Sequence, residues 1–319
     1  MDTEILQHIG HSLYNTKRLK EWKRYVVFRS RCMLHSEQIG GLLDFFAETP
    51  LRRDMLRHTT SFVEQATRQF FYKNSTYDER ISLVKAHVEF LESKLTEDAL
   101  RRLYAEGEML RLWEDSYEEK PLTLELWFHA GQRKEGCLSL VLMWDKEALY
   151  QIMFWLAPGK NGEPALWIGA LQGTPNGSEV IKGLTKAFYG YRTKNLIFYG
   201  IRNVAAALGC ESIYAVSNEG YYAMNHIRVD RKLKTSLDAF WQECEGTQLD
   251  DKRFYKIPIP EYRKSMEELK PSKRAQHRRR FAKMDEMKDA KEEVTGKFCK
   301  ILKIINKTGL CFYACPVFN

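Results

Sequence analysis

The chain has 319 residues, of which 44% are hydrophobic and 29% charged, enough to bury a sizeable core and to hold more than one module. Its formal net charge of +8 favours phosphates, nucleic acid, anionic lipid or acidic surfaces as partners, although excess charge is also a solubility device. Apolar runs stay far below the roughly 20 residues that cross a bilayer, no secretory signal opens the chain, and seven scattered cysteines fit a reducing compartment, so the expectation is a cytoplasmic protein, with a peripheral contact to the inner membrane left open.

From Thr16 to Leu112 the spacing predicts helices. A short helix over 36–49 is ended by Pro50, and the next, from Pro50 to Lys73, carries Leu51, Met55, Phe62, Ala66 and Phe70 at helical spacing. Ser75 is a candidate N-cap for a third, with Asp78 and Glu79 in its first turn. Thr96 caps a fourth, which closes near Gly107.

At Pro121 the period changes. Leu122, Leu124, Leu126 and Phe128 alternate with Thr123, Glu125, Trp127 and His129, a strand pattern with one polar face. Strands over 137–144, 148–158 and 165–173 follow, and the four read as an antiparallel meander. Two helices, each closed by a glycine, then lead to a strand over 210–218. A short helix over 236–246 and an apolar extended segment over 253–263 come next, and seven basic residues with no acid run from Lys270 to Lys283. The expected organisation is a helical region over 1–115, an α/β unit over 116–262, a basic helical segment over 263–295 and an atypical extension over 296–319.

The loop at 172–178 joins a strand to a helix and is rich in glycine. Backbone N–H groups there, with the helix dipole, form a ready-made anion site, and Lys182 and Lys186 share one face of the helix beyond. Gln172, Gly173, Gly177 and Ser178 are thus candidate ligands of a phosphorylated donor, with Lys182, Arg192 and Lys194 as nearby cations. A tight strand-to-helix turn explains the same residues, and Arg192 and Lys194 serve equally as solvated residues at a helix start. Ser217 and Asn218 end an apolar strand, where ligands gather in open sheets. With Tyr221 and Tyr222 they are candidate catalytic residues, Tyr222 as an acid. An Asn-Glu-Gly turn is the plainer reading. Glu125, His129 and Glu135, on or beside the first hairpin, are explained by a solvent-facing surface. Cys299, Cys311 and Cys315 lack a histidine for a zinc site, so no metal is expected.

A meander, a glycine turn, a helix and a returning strand resemble the acyl-CoA-dependent N-acyltransferase (GCN5-related) fold. In that fold a Q/R-x-x-G-x-G/A loop cradles a pyrophosphate, and here Gln172, Gly173 and Gly177 stand off its register while Pro175 removes a donor. Taken together, residues 70–92, 134–142, 168–173, 184–198, 206–218, 238–241 and 273–285 resemble the VirK/YbjX family of bacterial proteins, over roughly residues 45–290. The resemblance implies a role in virulence and in resistance to antimicrobial peptides. The combined expectation is an α+β protein, its N-terminal helices packed on a mixed, mostly antiparallel sheet of acyltransferase-like topology. The activity expected is transfer of an acyl or aminoacyl group from acyl-CoA or another phosphorylated donor to a peptide or envelope component. The alternative is an accessory protein that binds RNA or the inner membrane surface through 270–283, and deleting the chain from Lys270 onward would separate the two.

Overall fold

The computed structural model describes residues 3–174, 177–225 and 236–300. Seven helices come first: α1 (Thr3–Leu13), α2 (Leu19–Leu34), α3 (Ser36–Ala47), α4 (Pro50–His58), α5 (Ser61–Thr67), α6 (Tyr77–Lys94) and α7 (Glu97–Tyr104). Pro50, expected at the boundary between two helices, opens α4 behind the Thr49 cap, where its missing N–H costs nothing. The single run expected from Pro50 to Lys73 breaks at Thr59, whose hydroxyl donates to the Tyr104 carbonyl at 2.7 Å. Thr76 rather than Ser75 caps α6: it accepts from the Glu79 N–H, and Glu79 returns the bond to the Thr76 N–H. Ser75 donates instead to the Phe70 carbonyl at 2.8 Å. Thr96 caps α7 as expected.

The sheet has eight strands in the order β1-β2-β3-β4-β5-β6-β8-β7. They are β1 (Leu110–Tyr117), β2 (Lys120–Trp127), β3 (Leu138–Trp144), β4 (Glu147–Pro158), β5 (Pro164–Gly173), β6 (Ser212–Val216), β7 (Thr247–Gln248) and β8 (Phe254–Ile257). The first five form the antiparallel run, β6 lies parallel to β5, and β8 and β7 complete the sheet antiparallel. The expected meander is therefore present as β2 to β5, while β1 begins inside the stretch expected to be helical up to Leu112 and runs on to Tyr117. A bulge between Arg111 and Trp113 breaks its alternation, and its hairpin turns at Glu118 and Glu119, both at positive φ without glycine.

Between β5 and β6 the chain passes through α8 (Ser178–Ala187) and α9 (Thr193–Ala207); α10 (Leu237–Glu243) and α11 (Pro271–Phe298) follow. Gly209 ends α9 at a φ of +71°, the left-handed C-cap expected of it. α9 lies so close to β2 and β3 that a Cβ at Gly200 would press on Leu124 and Leu140. Register places Trp155, Trp167 and Tyr214 on the opposite face, where Trp155 and Trp167 stack at 6.1 Å and Trp167 and Tyr214 at 4.3 Å. Phe71 meets the edge of Trp155. With both faces covered, the side of β2 expected to face solvent is buried: Glu125 is 5% exposed and accepts from Arg111 and Thr123. The fold is thus α+β, with N-terminal helices on an open mixed sheet, one continuous core, and no described helix long and apolar enough to cross a membrane.

His87 joins three elements inside that core. Its Nδ1 accepts from the Leu156 N–H at 3.1 Å, its Nε2 lies 2.7 Å from the Tyr104 hydroxyl, and that hydroxyl donates to the Cys137 carbonyl. Full burial holds the ring neutral and lowers its pKa from 6.5 to about 3. A base depressed in the folded state contributes stability above its unfolded pKa and loses it as pH falls toward the folded one. The urea midpoint should fall as pH drops from about 6.5 toward 3, His87 adding up to about 1.4 kcal/mol per pH unit. His87→Gln should flatten that slope, and equal slopes in the two proteins would refute the assignment.

Candidate functional site

The residues that position the site lie on α5 and on the loop over 128–137. Every residue of α5 is buried although the helix carries Glu64, Gln65 and Thr67. Buried polar groups need partners: the loop supplies them to Gln65 and in part to Glu64, while the Thr67 hydroxyl donates to the Glu64 carbonyl. Gln65 donates to the Arg133 and Gly136 carbonyls, both at 2.8 Å. Glu64, fully buried, accepts from Arg133, from the Tyr14 hydroxyl at 2.6 Å and from Arg68 at 3.4 Å. Those partners outweigh burial and keep its carboxyl below the usual range. Across the loop, the Phe71 N–H donates to the Lys134 carbonyl. The loop lies directly on β5, where a Cβ at Gly169 would overlap the Glu135 carbonyl.

That scaffold sets the Glu135 carboxylate, 5% exposed, between Gln172 near the end of β5 and Tyr221 in the turn beyond β6. The Tyr221 hydroxyl donates to its Oε1 at 2.5 Å, and the Gln172 amide reaches both oxygens at 2.9 and 3.0 Å. Burial raises the Glu135 pKa, and the Tyr221, Lys134 and Gln172 contacts offset only part of the rise. Burial first, then Glu135 itself, pushes the Tyr221 hydroxyl well above its usual range. A buried carboxyl moved toward neutrality and held by a phenol and an amide is a candidate site for proton transfer.

Of the residues singled out in the sequence, Gln172 belongs to this cluster. Ser217 and Asn218 hold backbone instead. The Ser217 hydroxyl donates to the Lys252 carbonyl and accepts from the Gly220 N–H. Asn218 donates to Ser236 and accepts from the Leu237 N–H, anchoring the start of α10. Tyr222 is 7% exposed and packs edge-on against Phe70 and Tyr221, with ring centroids at 6.2 and 5.0 Å. The phenol on the carboxylate is therefore Tyr221, one residue before the one chosen from sequence. Glu135, expected at a solvent-facing hairpin, is turned inward because α5 and β5 hold its loop from two sides. Only the glycines at 136 and 169 hinted at so close an approach.

Around the glycine loop, Gly173 is the last residue of β5 and packs on the Tyr150 ring, and the Thr174 N–H still bonds to the Leu149 carbonyl. Pro175 lies outside the described residues. Gly177 occupies the N-cap of α8 with no side-chain cap, and Ser178 opens that helix. Lys182 and Lys186 are exposed on it. Arg192 forms an ion pair with Glu243, and the Lys194 ammonium stands 3.9 Å from the Phe240 ring centroid, so both face α10. Burial lowers the Lys194 pKa.

The basic run from Lys270 is part of α11, which packs beside β1 and α9. Met284 and Met287 are buried, Arg280 donates to the Tyr189 carbonyl, and Lys283 pairs with Asp115 at 2.8 Å. Lys270, Lys273, Arg278 and Arg279 remain exposed. Truncation at Lys270 would thus remove a packed helix and could not separate a binding tail from an enzyme. Cys299 is buried, whereas Cys311 and Cys315 lie outside the described residues.

Residues 17–293 match the family described as "Protein of unknown function (DUF535)", and the chain belongs to this family, the VirK/YbjX family. It is similar to "Uncharacterized protein YbjX" of Escherichia coli K12, 33% identical over 171 residues, 51% of this chain and 50% of that protein. The match therefore spans half the length of that relative. An uncharacterized protein of Haemophilus influenzae is 24% identical over 85% of this chain and 89% of its own length. "Membrane protein LapB" of Mannheimia haemolytica is 26% identical over 65% of this chain and 89% of its own. No solved structure matches the chain.

Glu64→Gln should remove the charge that holds Arg133 and leave that guanidinium half-buried beside a neutral partner. The expected cost is about 3 kcal/mol of unfolding free energy, the usual penalty for breaking a buried pair from one side. Urea denaturation measures it, and a loss below about 1 kcal/mol would mean that the loop is held by Gln65 and Gly169 alone.

Proposed function

We propose that the chain is an acyl- or aminoacyl-transferase in which Glu135 is the base, reached directly or through Tyr221. The observation that carries this reading is the 2.5 Å hydrogen bond from Tyr221 to a buried carboxylate where two parallel strands part. Pairing between β5 and β6 runs only from Ala165–Ser212 to Ile168–Ala215, while β5 continues to Gly173. Such a parting of parallel strands, with β8 and β7 antiparallel beyond it, agrees with an acyl-CoA N-acyltransferase topology.

In this scheme an amine of the acceptor gives its proton to Glu135 and attacks the carbonyl carbon of a thioester donor. The carbon–sulfur bond breaks and the leaving thiolate takes a proton from Tyr222, so thioester and amine become amide and thiol. Proton transfers of this kind contribute typically 10²–10⁴-fold. The first-turn N–H groups of α8 have no intrahelical partners and no side-chain cap, which suits the donor's phosphates, and exposed Lys182 adds charge. Gln172 fixes the orientation of Glu135, and Ser217 and Asn218 shape the turn that presents Tyr221. Arg192 and Lys194, engaged on α10, are second-line cations. A peptide or envelope component as acceptor fits the family context and the membrane name of the Mannheimia relative.

Thermal unfolding against acetyl- and long-chain acyl-CoA, ATP and short RNA tests this first. A ligand of the folded state stabilises it by about 2.7 kcal/mol at a hundredfold excess over Kd. A shift with a CoA thioester, lost in Gly177→Asp and kept in Glu135→Gln, is the expected result. A shift with RNA alone would move the function to the exposed cations of α11.

Glu135→Gln keeps an acceptor for the Tyr221 hydroxyl and should lower turnover 10²-fold or more. In the wild type the rate should rise with pH through a carboxyl pKa above the ordinary glutamate value, because only the ionised form accepts a proton. The same raised pKa makes Glu135 stabilising while protonated and costly once ionised, so Glu135→Gln should gain stability relative to wild type at high pH. A pH–rate profile without a rising limb above the ordinary glutamate range would remove Glu135 from the base role.

A further inference from the structure

α2 turns a second apolar face outward. Among the described residues ten large hydrophobic side chains are exposed, and six of them lie on this helix: Leu19, Trp22, Val26, Val27, Met33 and Leu34. Its buried side is formed by Phe28 and Cys32. At about 100° per residue, Leu19, Trp22, Val26 and Met33 fall within an arc of about 60°, on the side away from Phe28. A helix on the surface of a globular protein carries polar residues there. Within it Leu19 and Met33 are 70% and 64% exposed and Trp22 and Val26 48% and 39%, so the described chain leaves the stripe largely open.

At the same angle per residue Lys23 and Arg29 flank it on either side, and Lys17, Arg18, Lys20, Arg24 and Arg31 add to the positive charge of the segment, against the single acid Glu21. Lys23, Arg24, Arg31 and Arg68 also line a groove of about 180 Å³ whose other walls include Tyr14, Val27 and Phe28. Within that groove Arg24 pairs with Glu21, Arg68 reaches Glu64, and Arg31 donates to the Thr67 carbonyl at 3.4 Å. An apolar stripe with a tryptophan, edged by long basic side chains, has the chemistry of a helix that lies in the interface of a bilayer. The rings and aliphatic stems enter the acyl boundary while the charges stay with the phosphates. A neutral protein partner would leave seven cations facing one acid without complement.

We propose that α2 docks the protein on an anionic phospholipid bilayer, with Leu19, Trp22, Val26 and Met33 in the acyl boundary and the flanking Lys23 and Arg29 on headgroup phosphates. The proposal does not depend on the transferase reading, since none of these residues belongs to that site.

The test is co-sedimentation of the full-length protein with phosphatidylglycerol–phosphatidylcholine vesicles and with phosphatidylcholine alone. Binding to the anionic vesicles, weakened by salt and at least tenfold weaker on neutral ones, is expected. Leu19→Ser/Trp22→Ser/Val26→Ser and Lys23→Glu/Arg29→Glu should each reduce it at least tenfold while the variants still unfold cooperatively, since Leu19 is 70% exposed and Trp22 and Val26 48% and 39%. Lys273→Glu/Arg278→Glu/Arg279→Glu on α11 should bind like wild type. Equal binding by the α2 variants, or loss in the α11 variant alone, would overturn the proposal. So would a dimer in sedimentation velocity that dissolves in the triple-serine variant while vesicle binding persists, since the stripe would then meet a second copy.

Discussion

The architecture depends on a polar helix placed where an apolar one would be expected. α5 is only seven residues long and wholly buried, and it contributes a carboxylate, an amide and a hydroxyl to the interior. An unsatisfied group of that kind costs about as much as a buried leucine contributes, so each must be met. Glu64 and Gln65 are met by the loop over 128–137, by Tyr14 and by Arg68, which ties the helical half to the sheet through hydrogen bonds with direction as well as strength. Apolar packing alone would let helices slide over a sheet; these bonds fix one position. The precise setting of Glu135 follows from that constraint and not from its own neighbours in sequence.

The aromatic layer complements this polar clamp. Trp155, Trp167 and Tyr214 succeed one another across three strands, with Phe71, Tyr72 and Phe254 against their edges. Rings of this size dominate core energetics and prefer offset or edge contacts. They lie beside the turn that carries Tyr221, whose backbone forms a bridge to Tyr72. The Gly220 carbonyl receives the Lys73 N–H, and the Arg253 guanidinium holds the Lys73 carbonyl. A rigid floor under one partner and a pinned loop under the other keep two side chains 86 residues apart in register.

Much of this was legible in the sequence wherever the signal was local. The meander from β2 to β5, the Thr96 cap, the glycine that ends α9 and the strand over 212–216 all announce themselves through period or capping chemistry. What was illegible depended on distant partners or on unusual backbone. β1 is hidden by its bulge and by a two-residue turn of glutamates, which adopt positive φ without the customary asparagine or glycine. The break after α4 needs the Tyr104 carbonyl, 45 residues away. Alternation assigned Glu125 to solvent because it cannot show that both faces of a sheet are covered. Glu135 sits in a run of charged turn residues that reads as surface until Gln65 and Gly169 are placed against it. Ser217 and Asn218 read either as site residues or as a turn; the Ser217 side chain serves that turn, whereas Asn218 anchors α10 through partners 18 and 19 residues away.

The strand order also governs how the sheet ends. On one side it stops at β1, whose bulge, Arg111, Glu114 and Asp115 interrupt a flat hydrogen-bonding edge. On the other it stops at β7, two residues long. Open sheets are vulnerable along their borders, where a stray strand from another molecule can join the ladder and begin a fibre. Among the described residues, eight strands with a bulged, charged border and a truncated one offer little template for such growth.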